Sequence, residues 1–242
     1  MIKMTVPIVF TCIGAALLAL FCVKRIKGSS PTVAMIKALV SICFIATALT
    51  GIAFTDYDMS HIRFGLWIVM GLICGMLGDI ALDLKYAHRK SNDQYTYAGF
   101  TSFLAGHVLY DIALISEFYK KGNIWYLAVP VIICIVIALF IRFSEKPLKV
   151  NYGKFRWIVV LYSPFLFSLM MFSGSMAMLH SFRNIGLDMI FGGSVFFALS
   201  DLILNGTYFG EGKNRPVDIV TNHVTYYIAQ FAIALSLCFI SK

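Results

Sequence analysis

The chain has 242 residues, of which 60% are hydrophobic and 13% charged, with a mean hydropathy of +0.82. That balance excludes an ordinary soluble domain, where roughly a quarter of residues are charged. The net charge of +8 does not mark a nucleic-acid partner, because the basic residues gather in the connections between apolar runs.

Eight such runs approach the ~20 residues needed to cross a bilayer. They cover 5–23, 33–54, 64–84, 98–118, 124–143, 157–179, 187–208 and 217–240, with short connections between them. The expected fold is therefore all-α: an eight-helix transmembrane bundle forming a single integral membrane domain over 1–242. Only Lys3 precedes the first run, while Lys24, Arg25 and Lys27 follow it. That inverts the charge order of a signal peptide, so the run is expected to remain as the first span. The six cysteines (Cys12, Cys22, Cys43, Cys74, Cys134, Cys238) all lie within apolar runs without paired loop spacing. They read as small core residues and not as a disulfide or zinc framework.

With eight spans, alternate connections share one face. Those after spans one, three, five and seven carry Lys24, Arg25, Lys27, Lys85, Arg89, Lys90, Arg142, Lys146, Lys149, Lys154, Arg156, Lys213 and Arg215. The other face and the termini have Lys3, Arg63, Lys120, Lys121, Arg183 and Lys242. The positive-inside rule then puts the basic loops in the cytoplasm and both termini outside. The same charges suit contact with anionic membrane lipids.

Two stretches repeat a pattern. Gly78-Asp79-Ile80-Ala81-Leu82-Asp83 in span three and Ser200-Asp201-Leu202-Ile203-Leu204-Asn205 in span seven each put an aspartate after a small residue and a second polar group four positions later. The following span answers each time with a histidine and a tyrosine: Gly106-His107-Val108-Leu109-Tyr110-Asp111, then Asn222-His223-Val224-Thr225-Tyr226-Tyr227. A carboxylate at membrane depth costs roughly 2.5–3.5 kcal/mol on insertion scales and is functional by default. The pattern suggests an internal parallel repeat, spans three-four resembling spans seven-eight, with a site between the copies.

Both aspartate spans run the same way, and Asp79 lies about 9 Å along its helix from Lys85. His107, His223 and Lys37 enter from that same side, so the polar groups gather in one half of the membrane. Residues four apart share a helix face, which makes ridges of Asp79 with Asp83, Asp201 with Asn205, and His107 with Asp111. In span eight, His223, Tyr226, Tyr227 and Gln230 fall at three- and four-residue steps, and Gly71, Gly75 and Gly78 offer a close approach beside Asp79.

Plainer readings stand beside these. Lys37 could snorkel to the interface. Asp83, close to the loop, reads as solvated. Tyr110 and Tyr226 could be packing aromatics, and His107 a core histidine bonded to a carbonyl. Asp79 and Asp201 resist such readings, because the sequence offers few buried cations to pair with both.

The motifs of spans three and seven, Phe103-Leu104-Ala105-Gly106-His107-Val108-Leu109-Tyr110, Thr225-Tyr226-Tyr227-Ile228-Ala229-Gln230 and Lys37 together resemble the YhhN-like family, which includes the lysoplasmalogenases. The resemblance runs from about Lys37 to Gln230. It implies an eight-span hydrolase cleaving the vinyl ether of lysoplasmalogens to a fatty aldehyde and a glycerophospho-base.

That chemistry suits the residues. Protonation of the alkene carbon gives an oxocarbenium ion, and water captures it as a hemiacetal that collapses to aldehyde and alcohol. One carboxyl must act as acid while a second, ionised one stabilises the cation, as two-carboxylate glycosidases divide a related task. Asp79 and Asp201 are the expected pair, and either could be the acid. His107, Tyr226 and Gln230 would orient water or carboxyls, Asn205 could bind a glycerol hydroxyl and Lys37 could meet the phosphate, with Asp83, Tyr110, His223 and Tyr227 as further substrate-binding or supporting residues. The expected partners are a lysoplasmalogen or related lysophospholipid and membrane lipids, with no nucleic acid and no cofactor or metal. No Gly-x-Ser-x-Gly elbow supports serine chemistry. Two rivals are a proton-coupled transporter or lipid-binding protein, and a metal-dependent hydrolase using the histidines and aspartates.

Overall fold

The structure is a computed structural model that describes residues 2–54, 59–87, 89–119, 123–210 and 215–240. Lys120, Lys121, Lys213 and Lys242, counted above in the charge balance, lie outside the described residues, as do the side chains of Lys3 and Arg89. The described residues are helical, apart from short connections and one isolated antiparallel bridge between Val150 and Gly210. The helices are α1 (Ile2–Lys27), α2 (Pro31–Phe54), α3 (Met59–Ala87), α4 (Asn92–Phe118), α5 (Trp125–Phe143), the short α6 (Glu145–Leu148), α7 (Arg156–Leu179), α8 (Ile185–Phe209) and α9 (Pro216–Ser236).

Among the described residues seven helices, one fewer than the eight apolar runs, are long and apolar enough to cross a membrane: α1 to α5, α7 and α8. This is a multi-pass membrane protein. The exception is α9, whose Asp218, Asn222, His223 and Gln230 dilute its apolar character. Its surroundings explain that composition. It packs against α8, α2, α1 and α3, so Asn222, His223, Tyr226, Tyr227 and Gln230 are all buried in protein. Helix α5 is the opposite case. It packs chiefly against α7 and turns Val131, Ile132, Ile135, Val136, Leu139 and Phe140 outward.

The helix ends follow local chemistry. After α1 the chain passes through Gly28 at φ 144, a conformation that glycine adopts without strain. Ser30 then accepts the backbone N–H of Val33 at 3.3 Å, and Pro31 opens α2 where its missing donor is harmless. Asn184 caps α8 by accepting from the Leu187 N–H at 3.0 Å. Pro216 opens α9 behind an Arg215–Asp218 capping box. The six cysteines are free.

The ends of α1, α3 and α8, the start of α4 and the stretch between α6 and α7 meet at one end of the bundle. Arg25, in the last turn of α1, reaches Asp83 and Tyr86 at the end of α3. Lys154, between α6 and α7, pairs with Asp93 at the start of α4, and Asn151 donates its backbone N–H to Phe209 at the end of α8 (2.8 Å). These are the connections that carry most of the basic residues. Lipid tails are as apolar as core side chains, so burying apolar surface gives helices little reason to associate. Close approach and polar contacts therefore matter more, and α3 shows both where it meets α4 and α9. A β-carbon on Gly71 would stand 2.3 Å from the Tyr110 ring, and one on Gly75 would stand 2.6 Å from the Gln230 amide nitrogen.

Candidate active site

Helix periodicity puts Lys37 and Ser41 on one face of α2, and Asp79 and Asp83 on one face of α3. The two faces meet. Lys37 Nζ lies 3.2 Å from Asp79 Oδ1 and 3.9 Å from Asp83 Oδ1. With 4% of its surface accessible, Lys37 does not snorkel; the two carboxylates hold it inside. The Asp79 Oδ2 atom accepts hydrogen bonds from the Ser41 hydroxyl and the Tyr226 hydroxyl, both at 2.9 Å. Asp79 thus has a cation on one oxygen and two hydroxyl donors on the other.

Behind Asp79 runs a chain of side chains. The Tyr226 oxygen accepts from Gln230 Nε2 at 2.8 Å, and Gln230 Oε1 accepts from the Tyr110 hydroxyl at 3.3 Å. Gly71 and Gly75 make room for it, since side chains there would collide with Tyr110 and Gln230. Tyr227 donates to the Lys37 carbonyl at 3.2 Å and lies 3.3 Å from the Ser41 hydroxyl. Tyr226 also meets Phe103 and Phe197 edge-on, at 5.9 and 5.4 Å between ring centres.

Asp201 has different company. Tyr162 of α7 donates to its Oδ2, and the Ser200 hydroxyl lies 3.4 Å from its Oδ1. Among the described residues no lysine or arginine pairs with it. Asn222 ties α9 to α8 here by donating to the Ser200 carbonyl at 2.6 Å.

Asp79 and Asp201 line one cavity of about 280 Å³. Its walls also carry Lys37, Asp83, Ser200, Asn222, His223 and Tyr226, with Phe103 and Leu204 as apolar surface. Arg25, Gly28 and Ser29 edge it at the end of the bundle where the basic connections meet. A second, smaller and mostly apolar cavity of about 50 Å³ lies between α4, α5, α7 and α8. It shares Asp201, Leu204 and Tyr208 with the first, so the Asp201 carboxyl stands on the boundary between a polar and an apolar space.

The remaining residues singled out in the sequence are placed as follows. Asp83, expected to be solvated, is 6% exposed: Arg25 reaches its Oδ1 at 3.7 Å from the α1 end, an approach the loop-proximal position did not suggest. His107 and Tyr110 sit a layer away from the main cavity. The His107 Nδ1–H donates to the Phe103 carbonyl at 2.8 Å and its ring packs 4.7 Å from Phe197, which is the core-histidine arrangement. Its ridge partner Asp111 accepts from Ser168 and lines neither cavity. Asn205 faces the smaller cavity and donates to the Tyr152 hydroxyl at 3.5 Å. His223 is on the main cavity wall, its ring edge-on to Phe21 at 4.8 Å.

Sequence reasoning missed Ser41, Tyr162 and Arg25. Ser41 carried a usable signal, since it follows Lys37 by one helical turn. Arg25 was read only as a topological charge. Tyr162 belongs to no motif near an aspartate, and only the tertiary packing of α7 against α8 brings it in.

The fold and the cavity define an all-helical, multi-pass membrane protein with a polar site buried among its helices. The chain belongs to the YhhN family, whose model matches residues 32–237, a stretch that includes every helix lining the main cavity except α1. No curated protein and no solved structure matches the chain.

Proposed function

We propose that the protein hydrolyses the vinyl ether bond of lysoplasmalogens, in keeping with its YhhN family membership. The observation that carries this reading is the inequality of two buried carboxyls on one cavity: Asp79 has the Lys37 ammonium, and Asp201 has only hydroxyl neighbours. Burial favours the neutral form of a carboxyl, and a neighbouring cation favours the ionised form. The proposal gives Asp201 the part of the proton donor, and Asp79, with the cation beside it, the part of the carboxylate. One proton donor and one negative charge to steady the cation are what the reaction requires.

In this mechanism Asp201 gives its proton to the alkene carbon remote from oxygen. The π electrons form the new C–H bond, and positive charge spreads over the carbon–oxygen unit. Asp79 stabilises that cation, with its own position fixed by Lys37, Ser41 and Tyr226. Water adds to the cationic carbon and returns a proton to Asp201. Asp201 then protonates the glycerol oxygen as the hemiacetal C–O bond breaks, and the hemiacetal hydroxyl passes its proton back to Asp201, giving aldehyde and alcohol. Substrate plus one water balances the two products. The alkenyl chain would leave Asp201 towards the apolar cavity, and the phosphate would lie at the basic end near Arg25. Lys37, already held between two carboxylates, acts on Asp79 in this scheme and not on the phosphate.

The finer architecture belongs to the same proposal. Helix α9 serves as an eighth span, both termini lie outside, and the cavity opens at the cytoplasmic face by the positive-inside rule. The α3–α4 and α8–α9 hairpins are diverged copies in which one aspartate gained a lysine. Among the described residues no three His, Cys, Asp or Glu side chains are grouped to hold a metal ion. Aldehyde release by detergent-purified protein from an alkenyl lysolipid, with Asp201→Asn as control, tests the proposal. Binding without aldehyde release would instead favour a lipid-binding or transport protein.

A further inference from the structure

The turn from α5 into α7 carries more positive charge than the protein neutralises. It holds Arg142, Lys146, Lys149, Lys154 and Arg156. Lys154 pairs with Asp93, and Arg156 with Glu145, which also accepts the Tyr152 backbone N–H at 3.0 Å. Among the described residues no carboxylate forms an ion pair with Arg142, Lys146 or Lys149. Lys149 stands at φ 52, a left-handed conformation that glycine or asparagine adopts with less strain. Large apolar side chains stand among these cations. The Arg142 guanidinium carbon lies 5.2 Å from the Trp157 ring centre and 5.5 Å from that of Phe143. Trp157 is 68% exposed and Phe143 73%. From Phe143 a stripe of exposed side chains, Phe140, Leu139 and Val136, continues along α5 at helical spacing.

We propose that this corner binds an anionic phospholipid of the surrounding bilayer, its phosphate taken by Arg142, Lys146 and Lys149 and its chains lying along the exposed stripe of α5. Cations beside interfacial aromatic rings, at the head of an apolar helix face, match the order of headgroup and chain in a lipid. A soluble anion has no use for the stripe. A zwitterionic lipid brings a cation of its own, whereas three unpaired positive charges call for net negative charge. The site lies outside the main cavity, and none of its residues lines that cavity, so it does not depend on the chemistry proposed there. It also has a structural consequence. Helix α5 packs chiefly against α7. A headgroup held by Arg142 of α5 and by the α6 turn, beside Trp157 of α7, fastens the one end at which these two helices are joined by a short connection.

The experiment titrates detergent-purified protein with dioleoyl phosphatidylglycerol and, separately, with dioleoyl phosphatidylcholine. Bound lipid is counted by native mass spectrometry and the unfolding midpoint is read beside it. The wild type should favour the anionic lipid by roughly 10–100-fold, since each basic residue near an anionic surface contributes roughly five-fold. The anionic lipid should also raise its midpoint. In Arg142→Gln/Lys149→Gln the preference should fall by roughly ten-fold or more, and the gain in midpoint should shrink with it. Lys146→Gln/Lys149→Gln changes only exposed side chains and decides the matter if the first variant does not fold. Lys24→Gln/Lys27→Gln removes the same charge from exposed positions at the end of α1 and should keep the preference. No preference in the wild type, a preference unchanged in the corner variants, or an equal loss in Lys24→Gln/Lys27→Gln overturns the proposal. Displacement of the bound lipid by free glycerol phosphate at the lipid's own concentration would mark a site for soluble anions and overturn it as well.

Discussion

The Lys37 ammonium lies 3.2 Å from Asp79 Oδ1, with both side chains almost wholly withdrawn from solvent. Breaking a buried ion pair from one side leaves an uncompensated charge, at a cost of about 3–5 kcal/mol. Lys37→Met should therefore lower stability by that order, measured as a fall in the unfolding midpoint in detergent. Removing both charges in Lys37→Met/Asp79→Asn should recover part of the loss. A single mutant as stable as wild type would contradict the pairing.

Asp201→Asn should separate activity from stability. Asparagine can still accept from Tyr162, and no cation is stranded, so the unfolding midpoint should stay near wild type. Turnover should drop by ~10²–10⁴-fold, the usual contribution of a general acid. Asp79→Asn should lose comparable activity and lose stability as well, because Lys37 then has only Asp83. Aldehyde release per folded protein, read beside thermal unfolding, checks both.

The α-helical part of this design was legible early. Seven apolar runs became seven apolar helices, all but α5 longer than their runs because hydropathy does not register the polar turns at helix ends. The last run was read as equally apolar, yet α9 is set apart by the side chains it buries against α8, α2, α1 and α3. Asp79, Asp201 and Lys37 could be picked out because isolated polar groups in apolar sequence are conspicuous. Their pairing could not: nothing in the linear pattern says that Lys37 meets Asp79 and not Asp201. Asp83 was misread for a related reason, since distance from a loop measured along one helix ignores the arginine that a neighbouring helix delivers.

Tyr226→Phe should cut turnover by roughly 10–100-fold, since it deletes a hydrogen bond to a charged carboxylate worth about 1.5–3 kcal/mol. Gly75→Ala should act in the same direction, because its β-carbon would press on the Gln230 amide that donates to Tyr226. Steady-state rates of the two variants and their combination test whether they act on one element. Additive losses would mean that they do not.

His107→Phe and Asn205→Ala should each keep most of the turnover, despite lying in the motifs that first drew attention to the site. His107 donates to a backbone carbonyl within its own helix, and Asn205 faces the smaller cavity. A loss above ~10²-fold in a folded His107→Phe protein would bring the ring into the chemistry.

Helix α9 holds Tyr226, Gln230 and Asn222, and it follows every other helix of the site in order of synthesis. Until it arrives, Lys37 and Asp79 have each other but not the hydroxyl and amide that orient the carboxylate. A ribosome that has already delivered α1 to α4 has made the charges of the site without its geometry. The polar face of α9 makes it a poor candidate to enter lipid alone, since buried polar groups in a bilayer need protein partners. On the proposed eight-span reading its insertion would be coupled to helices already in place, and a nascent chain would gain a working cavity in one late step.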